Sequence, residues 1–329
     1  MALTSMLPVS RLIACAILGL ASASLVIEPI AVAQESTEIP PLPRPRPDRD
    51  AAGTPTPADG RSTATEAIEA ITDTPQTVVL TARITENGPP IPEGVVWRVF
   101  NSVPDAAGNM TLVAKSEEAT AELDLPPGEY VVHAAYGRAQ LSEPLTVVPG
   151  PNEKVIDLEA GALRLNSAVT GDIPIPPTQL RFDIFTAGEE SSRVLIAENL
   201  PPNDIVTLNA GTYHIVSRFG DVNAVVRADL RVEAGELTDA TLYHHASEVS
   251  FKLVSEEGGE AIADVEWTIK TPDGTTVFTD RGAFPTTVLA EGDYIVLAKQ
   301  GEQVYNREVQ IVAGGSREIE VLTTVYQGG

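Results

Sequence analysis

Histidine is the side chain here best suited to metal binding or proton transfer, and two of the four histidines are adjacent, His244 and His245. Neighbouring residues of a β-strand point to opposite faces, so one metal ion cannot readily accept both imidazoles. His133 and His214 lie far away in sequence. The pair falls where two sequence units meet, and we predict an exposed interdomain turn there. A metal site and a pH-sensitive hinge remain the alternatives.

Carboxylates are much more numerous and could bind Ca²⁺ or act as paired acids and bases. The densest group is the Glu-Glu-Gly-Gly-Glu segment at 256–260, whose spacing does not match an EF-hand loop. With 46 Asp and Glu residues, some pairs will be close by chance, so proximity alone does not predict acid–base catalysis. We expect solvated acidic faces, and whether an acidic loop takes Ca²⁺ stays open.

The motifs of common enzyme classes are missing from the sequence. It contains no Gly-x-Ser-x-Gly, His-Glu-x-x-His, Gly-x-Gly-x-x-Gly or Walker lysine loop. A single Cys excludes a disulfide framework and any multi-thiolate metal site. A formal charge of −24 argues against a surface that holds phosphate backbones. We predict a non-enzymatic protein with no cofactor, no metal and no nucleic-acid partner.

The N-terminus has the organisation of a secretory signal. An apolar run at 12–27 follows Arg11, and Ala-Val-Ala at 31–33 supplies the small-x-small pattern of a cleavage site. We predict residues 1–33 to be a signal peptide cut after Ala33, and hence a periplasmic or extracellular protein without a membrane span. The run is shorter than the roughly 20 residues of a membrane-spanning helix, so a retained anchor is the less favoured alternative. Lipidation at Cys15 is disfavoured because Arg11 lies only four residues before the cysteine and most of the apolar run follows it.

Residues 34–76 are rich in proline and nearly devoid of large apolar side chains, which predicts a disordered linker. Its densest part favours a stiff polyproline II conformation. We interpret the segment as a spacer, with a docking peptide for an envelope protein or glycan as the alternative. The prolines that would dock are Pro40, Pro41, Pro43, Pro45 and Pro47.

Three copies of one unit follow the linker. Each contains Leu-x-x-Gly-x-Tyr, and its glycines lie 83 and 81 residues apart. An aromatic residue flanked by apolar residues at period two precedes each copy, and period two is typical of a half-buried strand. The landmarks are Trp97, Leu125, Gly128 and Tyr130; Phe182, Leu208, Gly211 and Tyr213; and Trp267, Leu289, Gly292 and Tyr294.

We place the units at 77–159, 160–244 and 245–325, followed by a tail at 326–329. Turn-forming segments separate short strands in each unit, as in an antiparallel sandwich. The alternate residues of the aromatic strands, Asp183 among them, are expected to face solvent. Connections of about four residues, at 159–162 and 244–247, predict a semi-rigid arrangement.

These landmarks resemble an immunoglobulin-type sandwich with a tyrosine-corner-like element. The Pro-Pro-Gly-Glu-Tyr-Val-Val segment at 126–132 is similar to bacterial carboxypeptidase-regulatory-like and Cna-B-like repeats. The resemblance implies an all-β fold of three tandem immunoglobulin-like antiparallel sandwiches, on extracytoplasmic proteins of many functions. The sequence has no Cys pair and no repeated Lys and Asn pair, so we expect neither disulfide nor isopeptide staples.

The function expected from this architecture is that of an exported, non-enzymatic scaffold or protein-binding module of the bacterial cell envelope. Sandwich edge strands are its expected docking surface, because their unpaired backbone groups accept another strand. A carbohydrate-binding or adhesive module is the alternative, and a glycan-modifying hydrolase is the least favoured one. The aromatic residues expected to point outward are Phe100, Phe185, Phe278 and Tyr305.

Overall fold

A computed structural model describes residues 74–323. The predicted signal peptide, its cleavage site, nearly all of the proline-rich linker and the tail at 326–329 therefore lie outside the described residues. Between 74 and 323 the chain is almost entirely β, and its only helices are single 3₁₀ turns at Pro177–Gln179 and Glu190–Ser192. The all-β class with three immunoglobulin-like sandwiches is confirmed.

The first sandwich contains seven strands in two sheets. One sheet has the order β4-β1-β7 and the other β3-β2-β5-β6. The strands are β1 (Gln76–Arg83), β2 (Val95–Asn101), β3 (Leu112–Ser116), β4 (Thr120–Leu125), β5 (Gly128–Tyr136), β6 (Ala139–Val147) and β7 (Asn152–Asp157).

The second sandwich repeats this order with one short extra strand. Its sheets are β12-β8-β15, with β9 paired to β8, and β11-β10-β13-β14. The strands are β8 (Ala160–Val169), β9 (Ile173–Pro174), β10 (Leu180–Thr186), β11 (Leu195–Leu200), β12 (Ile205–Asn209), β13 (Gly211–Phe219), β14 (Ala224–Val232) and β15 (Leu237–His244).

The third sandwich has the sheets β19-β16-β22 and β18-β17-β20-β21. In all three sandwiches the first strand pairs antiparallel with the strand before the Gly-x-Tyr element and parallel with the last strand. The strands are β16 (Ala246–Val254), β17 (Glu266–Lys270), β18 (Thr276–Arg281), β19 (Thr286–Ala290), β20 (Gly292–Gln300), β21 (Gln303–Ile311) and β22 (Arg317–Leu322).

Each core is built around the aromatic residue of β2, β10 or β17. Trp97, Phe182 and Trp267 are fully buried or nearly so. The indole N–H groups still find partners, since Trp97 donates to the Glu118 carbonyl at 3.0 Å and Trp267 to the Gly282 carbonyl at 2.9 Å. Period-two burial in the neighbouring strands completes a separate apolar cluster in each sandwich.

The tyrosine of each repeat fixes the turn that precedes its strand. Its hydroxyl donates to the carbonyl four residues earlier, at 2.9 Å for Tyr130, 2.7 Å for Tyr213 and 2.9 Å for Tyr294. The matching glycine has φ of +157° in the second and third repeats, a conformation that other residues rarely adopt. The leucine that begins the motif, at 125, 208 and 289, is buried.

The connections between sandwiches are shorter than the four residues expected. β7 ends at Asp157 and β8 begins at Ala160, while only His245 separates β15 from β16. Neighbouring sandwiches therefore touch directly: Ala160 belongs to the first core, and Val288 packs into the second.

Removing the tyrosine hydroxyls one at a time tests how much their hydrogen bonds contribute to stability. Tyr130→Phe removes one hydrogen bond to a carbonyl and is expected to lower the free energy of unfolding by about 1 kcal/mol. Tyr294→Phe should cost roughly twice as much, because the Tyr294 hydroxyl also accepts a bond from Asn223 Nδ2 at 2.8 Å. Urea titrations of both variants measure the difference, and equal losses would contradict the second bond's role.

Candidate functional site

The two adjacent histidines have opposite environments. His245 is exposed, as predicted for an interdomain turn, but His244 is 1% exposed, so the prediction was wrong for that residue. The His244 Nε2 atom lies 2.8 Å from the Ser217 hydroxyl, which in turn lies 2.9 Å from the Ser167 hydroxyl. Phe219 packs edge-on against the imidazole. This buried chain links the two sheets of the second sandwich.

Burial makes His244 a weak base. Burial, and to a smaller extent the charge of nearby His245, lowers the pKa of His244 from 6.5 to about 4. The imidazole is therefore neutral in the folded protein at physiological pH. Since the unfolded chain binds a proton near pH 6.5 and the folded chain does not, acid favours unfolding.

Because acid favours unfolding, the stability of the protein is expected to fall as the pH is lowered. The neutral, buried imidazole of His244 makes its full contribution to the free energy of unfolding above about pH 6.5. This contribution falls as the pH drops towards 4, by about 3 kcal/mol in total. His244→Gln should remove this part of the slope of unfolding free energy against pH between 7 and 4.5. The control is His245→Gln, which should keep most of the slope because burial is the main cause of the lowered pKa of His244. Chemical denaturation at several pH values measures it, and identical slopes for His244→Gln and the parent would contradict the assignment.

Each of the two remaining histidines pairs with a side chain on a neighbouring strand. His214 is buried, and its Nδ1 lies 2.7 Å from the Asp229 carboxylate. His133 Nδ1 contacts the Ser142 hydroxyl at 2.9 Å. Within residues 74–323, no group of three or more His, Cys, Asp or Glu side chains is placed to hold a metal ion.

Two further residues depart from the sequence-based expectation. Asp183, expected on the solvent face, is buried; its carboxylate pairs with Arg218 and accepts the backbone N–H of Asn199 at 2.9 Å. Tyr305, expected to point outward, is buried in the third core. Phe100, Phe185 and Phe278 are half-buried.

Two of these half-buried phenylalanines lie beside exposed edge strands. Phe100 is directly opposite Leu112 of β3, and Phe185 is directly opposite Leu195 of β11. Each strand lies at the edge of its sheet, and the pairing shifts register just before the phenylalanine. The two sandwiches therefore present the same Phe–Leu pair at equivalent edges, which we call the apolar edges.

The apolar edges continue into neighbouring exposed side chains. Leu112 is 50% and Val113 40% exposed, and on the second sandwich Leu195 is 45% and Val194 62% exposed. An unpaired strand edge with apolar side chains is suited to accept a partner strand. The third sandwich differs, because Lys270 and Thr276 occupy the equivalent pair.

A cleft of about 530 Å³ lies between the second and third sandwiches. Phe278, Arg181 and several threonines line it. One wall is closed by Glu248, whose carboxylate accepts Gln179 Nε2 at 2.7 Å and the Ser316 hydroxyl at 2.8 Å. Hydroxyl, amide and guanidinium groups beside one aromatic ring are suited to a polar ligand with an apolar face.

The third sandwich matches a known family model. Residues 248–323 match the family model described as Rhizobiales growth-associated tandem repeat domain. The match begins within β16 and includes all of β22. No curated protein shows significant similarity to the chain. Within 74–323, no helix has the length and hydrophobicity to cross a membrane.

Several solved structures are also similar to this chain. The minor pilin GBS52 of Streptococcus agalactiae is 15% identical, with 51% of this chain and 95% of the pilin covered, at a TM-score of 0.30. BcpA, the major pilin subunit of Bacillus cereus, is 10% identical over 76% of this chain and all of its own, at a TM-score of 0.23. The TIE protein of Bacillus anthracis is 18% identical over 76% of this chain, at a TM-score of 0.21, and this chain spans half of its length.

Proposed function

We propose that the protein is an exported, non-enzymatic binding module of the bacterial cell envelope, and that the apolar edges of its first two sandwiches bind a partner protein. The supporting observation is that the exposed leucines of edge strands β3 and β11, Leu112 and Leu195, lie opposite half-buried phenylalanines of the neighbouring strands at equivalent sheet edges. The description of the family matched by 248–323, growth-associated, supports a role for this binding in growth. Export rests on the sequence pattern of residues 1–33.

Strand addition explains why an edge is suited to this task. An incoming strand gains main-chain hydrogen bonds from the free edge, and exposed side chains determine which strand fits. The register shifts beside Phe100 and Phe185 interrupt the regular pairing of each edge strand with its inner neighbour. Such irregularities discourage indiscriminate pairing between copies, so a partner must match the edge's local shape.

Photo-crosslinking in the native host tests this function. A photoreactive amino acid at Val113 or Val194 should give discrete protein adducts, several-fold more abundant than those from Thr276 on the equivalent edge of the third sandwich. Leu112→Ser should reduce the adduct at 113 by a large factor, since it removes half of the Phe–Leu pair.

The controls separate specific binding from chance contact. Thr276 is exposed and matches Leu112 and Leu195, the direct neighbours of the two probe positions, so it reports on random encounters. Equal adducts from all three positions, or an adduct at 113 that survives Leu112→Ser unchanged, would contradict docking at the apolar edges.

A carbohydrate-binding function is the second candidate, and the cleft between the second and third sandwiches favours it. Phe278 supplies a partly exposed ring beside polar groups that could bind sugar hydroxyls. Soluble peptidoglycan fragments should then bind the full chain, and Phe278→Ala should weaken binding at least tenfold by calorimetry. Phe100→Ala is the matched control and should bind normally; equal affinity of all three proteins would exclude the cleft.

A further inference from the structure

Two joints of the same design connect the three sandwiches. In each joint a hairpin turn of one sandwich rests on a β-branched side chain of the next: Gly137 lies against Thr207, and Gly220 against Val288. A methyl group on these glycines would approach the partner Cβ to 3.0 and 2.8 Å. Both glycines have positive φ, +60° and +67°, as their turns require.

The linker backbone makes the second contact of each joint. The Glu159 carbonyl accepts the N–H of Ala210 at 2.6 Å, and the His245 carbonyl accepts the N–H of Glu291 at 2.9 Å. Both donors stand two residues after the leucine of the Leu-x-x-Gly-x-Tyr motif. The turn fixed by the tyrosine thus also holds the linker.

An asparagine completes each joint. Asn209 accepts the N–H of Gln140 at 3.0 Å and donates to the Leu158 carbonyl at 2.9 Å. In the other joint Asn223, on the hairpin side, accepts the N–H of Ala290 at 2.9 Å. Both joints therefore use backbone N–H groups close to the tyrosine turn or the hairpin.

The first sandwich lacks these features at its own receiving end. Pro126 and Pro127 stand where the other repeats have Asn209-Ala210 and Ala290-Glu291, and proline has no N–H to donate. Asp124 takes the place of Thr207 and Val288; it is exposed and accepts the Thr77 hydroxyl at 2.9 Å. A hairpin placed there would meet a carboxylate and would lack the asparagine amide oxygen that accepts the N–H of Gln140 in the first joint.

The third sandwich, in contrast, keeps the hairpin of a joint. Its turn at 301–302 has the length of the turn at 137–138, and Gly301 has φ of +60°, as Gly137 does. Val304 corresponds to Gln140 in the hairpin register and is 55% exposed. No atom of the described residues lies within 4 Å of a methyl group built on Gly301.

We propose that the hairpin at 300–304 docks onto an immunoglobulin-like sandwich of a second protein, through the joint that connects the sandwiches of this chain. Another copy of this chain is a poor occupant, because its first receiving end is closed by Asp124, Pro126 and Pro127. The receiving ends of its second and third sandwiches already hold Gly137 and Gly220. This inference rests on the proposed binding function and names the partner's fold.

Opening the closed end tests the inference without knowledge of the partner. The triple variant Asp124→Thr, Pro126→Asn, Pro127→Ala gives the first sandwich the residues of the second at these positions. A second copy's hairpin at 300–304 should then dock on it, so the full chain should associate head to tail. Because joints within a chain benefit from an effective concentration of about 1 mM, association should be measured by sedimentation up to that concentration.

The control removes the hairpin's free donor. Adding Val304→Pro to the triple variant should abolish the association, since proline is tolerated on an edge strand but cannot donate. Circular dichroism verifies that each variant is folded. A folded triple variant that stays monomeric at about 1 mM, or association that survives Val304→Pro, would overturn the proposal. Neither result affects the crosslinking at Val113, which lies outside the joint, so the two proposals can fail separately.

Discussion

The hydrogen bond from each motif tyrosine to the carbonyl four residues earlier is the interaction on which the rest of the structure depends. It fixes the turn between two strands that belong to different sheets, and so it sets how the sheets face each other around the buried aromatic residue. In the second and third sandwiches the same turn presents an N–H to the preceding linker. One local bond thereby supports the core of a sandwich and its attachment to the previous one.

The sequence was sufficient to predict the repeated fold because its signals are local and occur three times. Period-two apolar residues around Trp97 and Trp267 predict strands with one buried face, and those side chains are buried. The connections were harder to predict, since Ala160 and Ala246 are compatible with either a loop or a strand. Pairing with distant strands decides that both alanines belong to strands, and it extends β8 and β16 almost to the preceding sandwich.

The sequence predicts edge strands as the binding surface but does not show which side chains form it. His244 and Asp183 look like surface residues in sequence, yet each is buried with a partner far along the chain, Ser217 and Arg218 respectively. Polar residues can be buried only when such partners exist, and a pattern of neighbouring residues does not show them. The apolar edges depend on the pairing of Phe100 with Leu112, a cross-strand contact across a register shift.

Exposed apolar edges would ordinarily promote association between copies, and two features of this chain oppose it. The formal charge of −24 makes two copies repel at long range, and the register shifts disturb the regular backbone edge that a second copy would need. The acidic, proline-containing receiving end of the first sandwich also opposes association between copies, because it does not provide the contacts that join the sandwiches within the chain. Terminal capping repeats have the same effect in other tandem arrays. Self-association is thus opposed at the edges and at one end, while within residues 74–323 the apolar side chains of the edges and Val304 of the third hairpin remain exposed.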